Sequence, residues 1–105
     1  GQRPLLVNPA LITVSGSLTA GVFLSQLLYW HDKGKYGDWV YKTIKEFKEE
    51  TTLSREQQDR AIKKWKELGV LEVELRQIPA KRFFRVDIDR LVELLSEYYQ
   101  MDDSL

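Results

Sequence analysis

The chain has 105 residues, 43% of them hydrophobic, no cysteine and a formal net charge of zero. That length suits a single domain over residues 1–105, and the apolar fraction is enough for a core, which excludes global disorder. The lack of cysteine excludes a disulfide scaffold, a thiolate zinc site and a cysteine nucleophile, and it fits a cytoplasmic location.

No apolar run approaches ~18 residues, so no membrane-spanning helix and no membrane partner are expected. The start, Gly1-Gln2-Arg3-Pro4, lacks a basic segment followed by a long apolar one and does not read as a signal peptide. The zero net charge conceals an asymmetry. Residues 39–86 hold twelve Lys or Arg against eight acids, and residues 87–105 hold one against six. A basic middle followed by an acidic tail suggests a polyanionic partner for the middle, although an ordinary solvated surface would also carry such charges.

Along the chain, Asn8-Pro9 reads as an N-cap with proline at the first helical position, starting one short helical turn through Ile12. Ser15-Gly16-Ser17 breaks it. Residues 18–32 form the strongest predicted helix, capped by Ser17 and apolar nearly all round, hence central and mostly buried. Residues 31–38 carry two glycines and no core pattern and read as a loop. Trp39-Val40-Tyr41 is a short strand of aromatic and β-branched residues.

Two capping boxes follow. Thr43 with Glu46 starts a helix over 43–51, with Ile44 and Phe47 inward and Lys45, Glu46, Lys48, Glu49 and Glu50 outward. Thr51-Thr52-Leu53 is the turn. Ser54 with Gln57 starts the next helix, over 54–68, whose inner stripe is Gln58, Ala61, Ile62, Trp65 and Leu68. Gly69 sits where a left-handed residue releases the chain. Strict alternation over 71–76 and a second apolar run over 82–86 predict a hairpin, with Gln77 to Lys81 as its tip. Asp87 or Asp89 caps a last helix near 88–97, with Leu91, Leu94, Leu95 and Tyr98 inward. The ordered core is expected over about 5–97, with 98–105 frayed.

This order of elements predicts an α+β, mostly helical fold: a winged helix-turn-helix with a three-stranded wing sheet, in which the strand at Trp39 pairs with the hairpin. Three segments carry a more specific resemblance: Trp39 to Thr43, Glu50 to Arg55 and Lys66 to Glu72. Together with Leu27-Leu28-Tyr29-Trp30 and Pro79 to Val86, they resemble the N-terminal winged-helix domain of phage and plasmid replication proteins, of the replisome-organiser or replication-initiator type. The resemblance covers residues 5–95. It implies a DNA-binding module of replication or prophage regulation, with double-stranded DNA as ligand and a replication protein as a further partner. Separately, the apolar-aromatic strip of the last helix, with Tyr98 and Tyr99, could pack on the domain or on a second copy of the chain.

On that reading the candidate DNA contacts are Arg55, Arg60, Lys63 and Lys64 on the second helix of the pair, and Lys81 and Arg82 at the wing. Glu56, Asp59 and Glu67 interrupt the positive charges. The bland alternative is a solvated face with pairs such as Asp59 and Lys63 at helical spacing. Trp30, Trp39, Trp65, Phe23, Phe47, Phe83 and Phe84 could stack on bases, but core is the default for such residues.

The sole histidine, His31 beside Asp32, has no nucleophile or metal-ligand partner at a recognisable spacing, so no enzyme, metal, cofactor or small-molecule substrate is expected. The alternative function is a winged-helix protein-interaction module that does not touch DNA.

Overall fold

The computed structural model describes residues 5–76 and 81–103. The elements run α1 (Pro9–Ser15), α2 (Leu18–Trp30), β1 (Trp39–Tyr41), α3 (Ile44–Thr51), α4 (Arg55–Glu67), β2 (Leu71–Arg76), β3 (Lys81–Val86) and α5 (Ile88–Asp103). The fold is α+β, with a three-stranded antiparallel sheet in the order β1-β3-β2. The expected turn over 77–80 lies outside the described residues.

Local chemistry places the helix starts. Asn8 accepts from the Ala10 N–H with Pro9 at the first position, and Gly16 at φ 71° ends α1. Ser17 caps α2. Both expected capping boxes form. Thr43 accepts from the Glu46 N–H and Glu46 from the Thr43 N–H; Ser54 and Gln57 do the same. Asp87, rather than Asp89, caps α5 by accepting from the Arg90 N–H at 3.0 Å.

Some expectations about the elements are corrected. Helix α1 runs on to Ser15, past the single turn expected through Ile12, because the left-handed Gly16 is what ends it. Helix α5 continues to Asp103, past the expected end at 97. Residues 98–103 contain neither glycine nor proline and nothing in them stops a helix. Lys81 also belongs to β3, opposite Arg76, and not to the hairpin tip.

The core sits where α2, α3 and α4 close on one face of the sheet. Phe23, Phe47 and Phe84 form its centre, with Phe23 stacked on Phe47 at 4.5 Å and both edge-on to Phe84 at 5.7 Å. Trp65 is fully buried and donates its indole N–H to the Ala20 carbonyl at 2.8 Å, tying α4 to α2 across 45 residues of sequence. Val40, Leu71 and Val86 complete the sheet side.

Helices α1 and α2 approach so closely at Gly21 that a Cβ there would lie 2.6 Å from Ile12 Cγ1 and 3.1 Å from the Ile12 backbone nitrogen. Gly21→Ala is therefore expected to lower stability by about 1–3 kcal/mol, the usual effect of overpacking, even though alanine is the better helix former. A urea titration checks this; a midpoint at or above that of the parent chain would contradict the close approach.

Candidate nucleic-acid interface

Helix α4 is joined to α3 by only Thr52, Leu53 and Ser54. The turn is sharp because Thr52 adopts the left-handed conformation at φ 66°. Thr51 Oγ1 steadies it, donating to the Phe47 carbonyl and accepting from the Leu53 N–H.

Gln58 then locks the start of α4. It is fully buried, and its amide nitrogen donates to the Ile44 and Leu53 carbonyls at 3.1 and 3.0 Å. With Gln58, Ala61 and Trp65 turned inward, helical geometry puts Glu56, Arg60, Lys63 and Glu67 along the centre of the solvent face. Arg55, Asp59 and Lys66 flank one side and Lys64 the other. At 13 residues the helix is about 20 Å long, and its width suits a major groove about 12 Å across.

The six candidate residues do not form one patch. Arg55 is 75% exposed and leans toward Asp59 at 4.0 Å. Arg60 and Lys63 stand in solvent, and Lys63 borders a shallow recess with Asp59, Ile62, Lys66 and Glu67. Lys64 is half-buried.

Lys81 and Arg82, being neighbours on a strand, point to opposite faces of the sheet. Lys81 reaches over the Tyr41 ring at 5.6 Å. Arg82 turns to the helical side and donates to Gln58 Oε1 at 3.1 Å, lying against the Phe84 ring. Burial lowers the Arg82 pKa, an effect the Asp59 carboxylate opposes and the nearby Arg55 charge assists. Arg82 therefore clamps β3 to the start of α4, and Arg55, Asp59 and Arg82 share one end of that helix.

A buried polar cluster lies outside these expectations. Glu50, expected to face out, instead folds back between α2 and α3. Its Oε1 accepts from Gln26 Nε2 at 2.5 Å and from the Trp30 indole N–H at 3.0 Å, and its Oε2 from Lys42 Nζ at 2.5 Å. The Lys42 ammonium also sits 4.0 Å from the centre of the Trp30 ring. Burial alone would raise the Glu50 pKa. The hydrogen bonds from Lys42, Gln26 and Trp30, with the Lys42 charge, outweigh it and hold the carboxyl below its ordinary range. The available signal was Gln26, a lone amide in a helix otherwise apolar on that side, four residues before Trp30 and so on its face.

His31 borders a polar recess with Asp38, Arg85, Asp87 and Asp89. Among the described residues no group of three or more His, Cys, Asp or Glu side chains is arranged to hold a metal ion, and no helix is long and apolar enough to cross a membrane. Comparison with family models, with curated proteins and with solved structures returned no match for this chain.

Proposed function

We propose that the chain is a winged-helix DNA-binding module, with α4 entering the major groove of duplex DNA and the β2–β3 hairpin lying along the backbone beside it. The role we assign within that class is phage or plasmid replication, or prophage regulation, on the strength of the sequence resemblance. The observation that carries the DNA reading is α4 itself. It is short, doubly capped and locked from behind by Gln58 and Trp65, and it turns Arg55, Arg60 and Lys63 to solvent. A rigid helix that presents Arg55, Arg60 and Lys63, even among Glu56, Asp59 and Glu67, can position on phosphates, and its first turn can reach base edges.

Salt titration tests it. Each phosphate contact contributes about one unit of slope to a log–log plot of affinity against salt. Lys63→Ala and Arg60→Ala are each expected to flatten that slope and weaken binding alike on all duplexes. Arg55→Ala should relax any sequence preference. Glu56→Lys should tighten binding, because it removes a repelling charge from the centre of the same face. Arg82→Ala is a poorer probe, since it also releases Gln58. If Glu56→Lys and Lys63→Ala both leave low-salt affinity unchanged, α4 does not face DNA, and the protein-interaction reading replaces it.

A further inference from the structure

Alternation along the strands sends Val40, Phe84 and Val86 into the core and their neighbours to the opposite face of the sheet. That outer face is unusual in composition. Trp39 and Tyr41 on β1 stand beside Phe83 and Arg85 on the central strand β3, in the register Trp39 with Arg85 and Tyr41 with Phe83. Tyr41 and Phe83 lie 5.3 Å apart with their planes 32° from parallel, and Tyr36 from the preceding loop stands edge-on to Phe83 at 5.0 Å.

Cations are threaded between the rings. The Arg76 guanidinium lies 4.3 Å from the Phe83 centroid and 5.0 Å from that of Trp39. Lys81 approaches Tyr41 and Lys35 approaches Tyr36, each at 5.6 Å.

We propose that this outer sheet face binds single-stranded nucleic acid, with unpaired bases stacking on Trp39 and Tyr41 and the backbone running past Lys35, Lys81 and Arg85. The half-buried Trp39 and Tyr41, interleaved with cations, match the chemistry of an unpaired strand, which offers a base π-face and a phosphate at each step. A duplex keeps its base faces stacked inside and cannot use the rings.

The acids on this face, Glu72 and Glu74, lie together on the edge strand β2, where they pair with Arg85 at 2.7 Å and Arg76 at 3.2 Å. Asp38 and Asp87 also lie near Arg85, so the cations of this face that stand away from acids are Lys35 and Lys81. Among the described residues, neither Lys35 nor Lys81 has a carboxylate partner. The inference shares the β2–β3 hairpin, Lys81 included, with the duplex reading, but its stacking rings, Trp39 and Tyr41, lie on β1 and not on α4.

The test titrates the intact chain with a fluorescently labelled oligothymidylate, with an abasic strand of equal length, and with random duplex. The oligothymidylate should quench tryptophan fluorescence, and the quench should vanish in Trp39→Leu. Trp39→Leu and Tyr41→Leu should each weaken oligothymidylate binding about tenfold, the usual effect of losing one stacked base. Neither should change duplex binding, and Lys63→Ala should leave oligothymidylate binding intact.

Leucine keeps apolar cover over the sheet, and an unchanged thermal melt certifies the fold. In a variant that does not fold, the abasic strand carries the test on the parent chain: it should bind far more weakly than oligothymidylate. Equal binding of the abasic strand, no binding of oligothymidylate at low salt, or full affinity in folded Trp39→Leu would each overturn the proposal. Loss of duplex binding alone would overturn only the reading of α4.

Discussion

Trp65→Ala is expected to lower the unfolding free energy by about 3–5 kcal/mol, the range for emptying a large aromatic site in a core. Trp65 is 0% exposed and sits in the same cluster as Phe47, Leu24 and Leu27, so truncation leaves a hole that rigid helices on several sides cannot collapse into. The substitution also removes the hydrogen bond to the Ala20 carbonyl, which ties α4 to α2. Trp65→Phe keeps most of the volume and loses the indole N–H, so it should fall between the two. Denaturant titration of the three proteins reads both contributions. A melt unchanged by Trp65→Ala would place this side chain on the surface and reverse the phase of α4, and with it the face proposed to meet DNA.

Glu50→Ala should cost about 2–3 kcal/mol. The Lys42 side chain is only 7% exposed, and removing its partner strands a buried ammonium together with the Trp30 and Gln26 donors. Breaking a fully buried pair costs about 3–5 kcal/mol; Glu50 retains 27% exposure, which reduces the figure. The neighbouring Glu49 supplies the control. It reaches Lys45 at 4.0 Å with both side chains largely in solvent, so Glu49→Ala should change stability by less than about 0.5 kcal/mol. Equal effects at 49 and 50 would contradict the buried cluster.

The same cluster predicts a pH dependence. The Glu50 carboxyl is held below its ordinary range in the folded chain, so the stabilisation is fully present above the unfolded-state value of about 4.3. It is lost as pH falls through the lower folded-state value. Comparing Glu50→Gln with the parent chain from pH 7 down to pH 2 should show the stability difference shrinking across that acid window and nowhere above it.

The sequence by itself determined the elements and where they start. Asn8, Ser17, Thr43, Ser54 and Asp87 each cap a backbone N–H two or three residues away, and Gly69 at φ 77° ends the α4 segment. Those interactions close within one turn, so residue type and spacing are enough to read them. Alternation over 71–76 and the stripe from Gln58 to Trp65 were legible for the same reason: they are periodicities of a single element.

The tertiary structure decided which members of similar neighbours act. Glu50, three residues after Phe47, lies nearer the inner face of α3 than Glu49 does, but only the passage of α2 beside it brings Gln26 and Trp30 to its carboxylate. Lys81 and Arg82 both read as wing cations, yet strand parity and the position of Gln58, 24 residues earlier, sent Arg82 inward and left Lys81 among the outer rings. Phe83 and Phe84, both buried, divided between the two sides of the sheet in the same way, Phe83 beneath Tyr41 and Tyr36 and Phe84 in the core. Partners at such separations are chosen by how helices and strands pack, and no local propensity encodes that choice.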